Sequence, residues 1–276
     1  MFVKFSTIRF LILAALLAVP CIAAAQIKKD TATVLITGAN RGIGLELAKQ
    51  YAARGWNVIA TSRHPSGDPG AKELDDLHAK YPQVAVERLD VTDTPMIRGL
   101  AAKYKDQPID VLINNAANVT ATFASDMEVS NLPYDKIDFD AARRDFDVNS
   151  LGAMRVSQAF MPNVERSKIK KVVNVTSLAG SFGMPLPGAI GMNYSASKAA
   201  LNKYSVLLSI AVKPKGIIVG LVQPLFVASK SDLGNMKGAA PLDKSIAHLI
   251  KIIDDMTMAN GSGKITNFET GKTDPF

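Results

Sequence analysis

The sequence predicts an α/β domain built on a doubly wound, seven-stranded parallel sheet with helices on both faces. Three observations carry that expectation. Short runs rich in β-branched and other apolar residues recur along the chain, and longer amphipathic stretches lie between them. Of the 276 residues, 47% are hydrophobic and 21% charged, which is enough to bury a sizeable core and too apolar for a disordered chain. No repeat, low-complexity linker or shift in composition divides residues 26–276, so a single domain is expected.

The elements follow in order. TVLIT (33–37) reads as the first strand and opens onto a helical pattern at 42–54. NVIATS (57–62) is followed by a helical pattern at 70–81, VAVERLDV (84–91) by one at 93–104, and IDVLINN (109–115) by one at 140–165. KVVNVTS (171–177) precedes the pattern at 193–212, and GIIVGLV (216–222) precedes the pattern at 241–256, which Pro241 starts. KITNF (264–268) closes the series. The stretches 116–139 and 223–240 exceed ordinary connection lengths and read as functional loops.

Ahead of the first strand, residues 1–25 carry Lys4 and Arg9 but no acid, then an apolar run from Phe10 to Val19, then Pro20, and then Ala23, Ala24 and Ala25 before Gln26. This is the pattern of a cleaved secretory signal peptide, with residues 26–276 as the mature domain and an exported, periplasmic location as the consequence. A run this short, broken by proline, falls below the roughly 20 apolar residues that span a hydrocarbon core. An uncleaved N-terminal anchor is the alternative if the run extends to Ala25. A cytoplasmic location is the alternative if the segment is not a leader.

The remaining composition removes several chemistries. The single cysteine, Cys21, falls in the leader, which leaves no thiol nucleophile, disulfide or thiolate metal site in the mature domain. His64, His78 and His248 lack the close spacing that metal sites favour, and no metal is expected. The formal charge of +7 comes from scattered Lys and Arg without basic runs, so no nucleic-acid partner is expected. The surplus suits a phosphate-bearing ligand.

Such a ligand has a candidate site in Thr37-Gly38-Ala39-Asn40-Arg41-Gly42-Ile43-Gly44, which follows the first strand directly and opens the first helix. Glycines allow a tight turn and a close approach of backbone to a pyrophosphate, whose charge then sits at the positive end of the helix dipole. The spacing is G-x-x-x-G-x-G. Where the second strand ends, an acid would bind ribose hydroxyls and an arginine would accept a 2′-phosphate. That position reads Ala60-Thr61-Ser62-Arg63-His64, with no acid, and Arg41 in the glycine turn is a second cation able to reach the same phosphate. NADP is the expected cofactor, with NAD the less favoured alternative.

Tyr194 and Lys198 stand four apart at the start of a helical stretch, so their side chains share one face. A tyrosine with a free pKa of roughly 10 is a poor proton donor or acceptor near neutrality, and a cation beside it stabilises its anion. Alone this pair is common. Its company is Ser177 at the end of KVVNVTS, Asn114-Asn115-Ala116-Ala117 after the fourth strand, Asn149 in DVNSLG, and Asp90 in Leu89-Asp90-Val91.

Together these motifs, in this order, resemble the short-chain dehydrogenase/reductase family over residues 32–276. The resemblance implies a Rossmann domain in which Tyr194 is the general acid in carbonyl reduction and Ser177 holds the carbonyl oxygen. It implies that Lys198 binds the nicotinamide ribose and lowers the tyrosine pKa, and that Asn149 positions a water in the proton relay. Asp90 and Val91 would meet the adenine, Asn115 and Ala116 would support the cofactor cleft, and Pro224, Val227 and Ser229 would lie at the nicotinamide carboxamide. The chain departs from the family at Ala117, Leu225 and Ser229, where glycine, glycine and threonine are usual. Leucine adopts the positive φ open to glycine only with strain.

The segments 36–47 and 58–63, with the tail from Gly263-Lys264 to Pro275-Phe276, resemble the carbonyl-reductase branch that includes the C-factor and sniffer proteins. That branch implies NADP and small carbonyl substrates. Phe182, Met184, Leu186, Met192, Leu225 and Phe226 give the expected substrate walls an apolar character, which fits a neutral aldehyde or ketone, or the corresponding alcohol. An exported, non-catalytic dinucleotide-fold binding protein is the competing function, and a homo-oligomer is left open.

Overall fold

A computed structural model describes residues 26–64, 66–118, 135, 137–183, 191–224, 240–267 and 270–276. The strands are β1 (Thr33–Ile36), β2 (Asn57–Ser62), β3 (Val84–Arg88), β4 (Val111–Asn114), β5 (Lys171–Val175), β6 (Ile218–Gln223), β7 (Ile265–Asn267) and β8 (Thr273–Asp274). They form one sheet in the order β3-β2-β1-β4-β5-β6-β7-β8. Every residue of β1, β2, β4 and β5 is buried, which is why these strands read as continuous apolar runs and not as alternations.

The helices are α1 (Gly42–Ala53), α2 (Lys72–Lys80), α3 (Thr94–Lys103), α4 (Phe139–Phe146), α5 (Ala153–Glu165), α6 (Met192–Val212) and α7 (Leu242–Asp255). On one face Val34, Ile36, Val58 and Ala60 pack with Leu47 and Tyr51 of α1, Leu74 of α2 and Leu249 and Ile253 of α7. On the other, Leu35, Ile59 and Leu112 pack with Ile97 of α3 and Val156 and Phe160 of α5. Successive strand residues feed opposite cores, as the two-residue period requires.

Two expectations need correction. The sheet has eight strands instead of seven, and the last pairs antiparallel, with Ile265 opposite Asp274 and Thr266 opposite Thr273. A strand of two residues leaves no periodic trace in a sequence, and Gly271, at φ +66°, makes the turn that returns the chain. The helix expected at 140–165 is α4 and α5 joined by one π-helical turn, Asp147–Gly152. Among the described residues no helix is long and apolar enough to cross a membrane. The expected leader, 1–25, lies outside the described residues.

From β1 the chain winds outward to β3, then returns to place β4 on the other side of β1. That reversal opens a crevice at the carboxyl ends of β1 and β4, the usual ligand position in open α/β sheets.

Candidate active site

The glycine turn sits in this crevice and is locked to the end of β4. Thr37 Oγ1 accepts the backbone N–H groups of Asn115 and Ala116, both at 3.0 Å. In return Asn115 Nδ2 donates to the carbonyls of Thr37 at 2.9 Å and Gly38 at 3.0 Å. Gly38 takes φ +66° and Gly42 φ +55°. A Cβ on Gly44 would lie 2.3 Å from the Gly38 oxygen and 2.5 Å from Asn115 Nδ2, so only glycine lets α1 begin this close to the turn. Arg41, in extended conformation, precedes α1 without capping it through its side chain. Half-buried Ile43 packs below on the α1 side of the core.

Arg41 and Arg63 are both exposed at this end of the sheet. Asn40 Nδ2 donates to the Gly70 carbonyl at 3.2 Å and ties the glycine turn to the connection after β2. Arg88, which sequence reasoning missed, stands opposite Ser62 in the β2–β3 register and reaches the Arg63 carbonyl through Nε at 3.4 Å. Strand pairing alone brings it there. At the end of β3, Asp90 Oδ1 accepts the N–H and hydroxyl of Thr92 at 2.9 and 2.7 Å. Val91 is buried against Gly152, where a Cβ would come within 2.7 Å of its Cγ2.

Ser177 leaves β5 in extended conformation, and its Oγ accepts the Ala179 N–H at 3.2 Å, starting a short 3-10 turn, Leu178–Gly180. Gly180 lets that turn press on α6, because a Cβ there would lie 2.7 Å from Lys198 backbone carbon. Asn202 Nδ2 fastens the same turn through the Gly180 carbonyl at 2.9 Å. Ser177 and Tyr194 are hydrogen-bonded through their side chains. Lys198 is 2% exposed, donates from Nζ to the Val175 carbonyl at 2.9 Å, and lies 5.7 Å from the centre of the Tyr194 ring. Burial without a carboxylate partner among the described residues pulls Lys198 down to about 8. Burial pushes the Tyr194 hydroxyl up, the Ser177 hydrogen bond pulls it down, and the Asp145 carboxylate pushes it up.

Asn149 lies in the π turn and is buried. Its Nδ2 donates to the Asn118 carbonyl and to Ser197 Oγ, each at 2.9 Å, and its Oδ1 accepts the Asn118 N–H at 2.7 Å. Ser197 Oγ donates onward to the Tyr194 carbonyl at 2.7 Å. The π turn widens the helix by one residue, a device common at functional sites, and here it aims Asn149 across to both β4's exit and α6. Arg155 braces it by donating to Asp147 Oδ1 at 2.6 Å. Asn118, Asp145 and Ser197 belong to this network and gave no sequence signal of their own. Pro224 follows β6 and is half-buried. Val227 and Ser229, with Leu225, lie outside the described residues.

The arrangement brings Ser177, Tyr194, Lys198 and Asn149 together beside the crevice. It can hold an oxygen between two hydroxyls, with a cation beneath, next to a turn shaped for a phosphate group.

The family model described as short chain dehydrogenase matches residues 32–237. An uncharacterised oxidoreductase of Bacillus subtilis, YusZ, is 32% identical over 191 residues, 69% of this chain and 63% of its own length. This chain therefore spans less than two thirds of that relative. NADPH-bound carbonyl reductase from chicken superposes with a TM-score of 0.79 at 27% identity, covering 89% of this chain and 99% of that one. The carbonyl reductase Sniffer of D. melanogaster shares the fold with a TM-score of 0.75 at 22% identity, over 89% and 100% of the two chains. The chain belongs to the short chain dehydrogenase family of oxidoreductases.

Proposed function

We propose that the protein is an NADP-dependent reductase of small, neutral carbonyl compounds in which Tyr194 delivers the proton. One observation carries this reading: the Tyr194 hydroxyl is bonded to Ser177 while the buried Lys198 ammonium lies under the ring. The glycine turn fits a dinucleotide, since Gly38 and Gly42 take positive φ and neither Gly38 nor Gly44 has room for a Cβ, which keeps the turn tight against the start of α1. Arg41 and Arg63, with Arg88 beside them and no acid at the end of β2, favour the 2′-phosphate of NADP.

When bound, the nicotinamide supplies the hydride. Ser177 donates to the carbonyl oxygen and fixes its position. Tyr194 passes its proton to that oxygen as negative charge develops there, and Lys198 stabilises the tyrosinate left behind. Lys198 has further protons for the ribose hydroxyls, because Val175 takes only one. Asn149 holds the backbone on both sides of the path by which the proton is replaced. Phe182, exposed beyond Ser177, and Met192, at the start of α6, support an apolar substrate.

The test is NADPH consumption with a panel of aldehydes and diketones. Tyr194→Phe should lower turnover by roughly 10² or more while NADPH binding survives. NADPH should bind at least about tenfold tighter than NADH, or 1.4 kcal/mol. Full activity in Tyr194→Phe removes the assignment. A parent protein that binds NADPH but reduces nothing in the panel is the non-catalytic binding protein instead.

A further inference from the structure

Asp145, in the last turn of α4, is fully buried. A buried carboxylate is costly unless the fold uses it. It accepts Asn118 Nδ2 at 2.8 Å. Asn118 is in turn clamped through its N–H and carbonyl by Asn149, Asn149 donates to Ser197, and Ser197 donates to the backbone carbonyl of Tyr194. One unbroken chain of hydrogen bonds thus runs from a buried carboxyl group to the residue that carries the proton, and α4 packs directly on α6.

We propose that Asp145 is a positioning residue for Tyr194: it anchors the Asn118–Asn149–Ser197 chain that ends on the tyrosine backbone and so holds the hydroxyl where it gives up its proton. This rests on the assignment of Tyr194 as proton donor and says how that donor is regulated. The charged and titratable groups around the tyrosine are few among the described residues. Lys198 lies on the same helix and Asp145 comes from α4, while the β5 exit offers only the Ser177 hydroxyl. Asp147 in the π turn is paired with Arg155, and Asp138 at the α4 start and Arg144 in its last turn are exposed. Burial and Asp145 oppose the tyrosinate and the Ser177 hydrogen bond favours it, so α4 and the β5 exit together set the ionisation of Tyr194. A donor must be protonated before the carbonyl arrives and must lose its proton only as charge develops.

The experiment reads the tyrosine directly. The full chain is labelled with 3-fluorotyrosine, the six tyrosines are followed by fluorine NMR against pH, and the Tyr194→Phe protein assigns the resonance. Asp145→Asn removes the charge and keeps the shape. Its Tyr194 midpoint should fall by about one pH unit, both with and without NADP added. Where carbonyl reduction is measurable, the alkaline limb of kcat/KM should fall by the same amount while the Kd for NADPH stays within about twofold of the parent. Should Asp145→Asn fail to fold, Asp145→Ser is titrated in its place, with the same shift expected. An unmoved midpoint in a folded variant overturns the proposal. Loss of activity in Asp145→Asn without that shift also overturns it, since a merely structural role would produce that result. A parent protein without reductase activity would remove the functional reading, while the midpoint would still decide whether Asp145 sets the ionisation of Tyr194.

Discussion

Lys198 is held in the fold at a cost that the pH dependence of stability should expose. Unfolded, the lysine keeps its proton up to its ordinary 10.5, whereas folded it loses it near 8. Between those values the unfolded chain binds more protons, so this residue makes stability rise with pH across the window; below pH 8 its charge costs the full amount, roughly 3 kcal/mol at most. Lys198→Met keeps the length and drops the charge. Allowing about 1 kcal/mol for the lost bond to Val175, the variant should be about 1 to 2 kcal/mol more stable at pH 7, with the gap closing toward pH 10. Urea melts at both pH values check this, and a variant less stable than its parent at pH 7 contradicts it. Glycines give a second residue-scale test. Gly44→Ala drives a Cβ into backbone oxygen and should cost about 2 to 3 kcal/mol and abolish NADPH binding. Gly55→Ala, at φ +82° with nothing within 4 Å, should cost about 1 kcal/mol from strain and leave binding intact.

Elements differ in how far the sequence announces them. The strands that carry the crevice were legible because a parallel strand covered on both faces must be apolar at every position, as in Val34-Leu35-Ile36. Tyr194 and Lys198, and the whole glycine turn, were legible because each lies within a few residues of chain. The π turn was not, since one extra residue in a helix leaves no lasting change of period, and its meaning depends on Asn118 and Ser197 arriving from elsewhere. Arg88 and Asp145 were hidden for the same reason. So was the edge hairpin, whose second strand runs on to touch the segment after Ser177. There Ser181 Oγ donates to the Pro275 carbonyl at 2.7 Å, the Gly183 N–H donates to the Phe276 carbonyl at 2.6 Å, and Gln223 Nε2 bonds Asp274. That strap steadies the turn carrying Ser177. Removing the serine hydroxyl in Ser181→Ala takes away about 1 kcal/mol, so the Gly183 amide should exchange with solvent roughly five- to tenfold faster while α6 is unchanged. Equal exchange at Gly183 in both proteins would show that the strap has no such role.

At the scale of the molecule, the leader expected from residues 1–25 and the dinucleotide chemistry proposed above pull in different directions. If those residues direct export, the chain leaves reduced dinucleotide behind and must fold on its own core, without the stabilisation of RT ln(1 + [L]/Kd) that bound ligand adds. The two apolar layers described above make that feasible, because both are built from the chain's own side chains. Gln26 N–H donates to the Pro82 carbonyl at 2.9 Å, and the Lys28 N–H donates to Asn57 Oδ1 at 2.8 Å while Asn57 Nδ2 returns a bond to the Lys28 carbonyl. Trimming past Lys28 would take the donor from Oδ1 of Asn57, a buried amide at the start of β2, while its Nδ2 keeps the Thr31 carbonyl and Thr33 Oγ1. Mass spectrometry of the protein from its native host should find an N-terminus at Gln26 in an exported fraction. Loss of residues 26–28 by engineering should lower stability by about 1 to 3 kcal/mol, the cost of leaving the buried Asn57 Oδ1 unpaired, read as a fall in the melting temperature. Recovery of a species beginning at Met1 in the cytosol would refute export, and would return the enzyme to the compartment where its reductant is made.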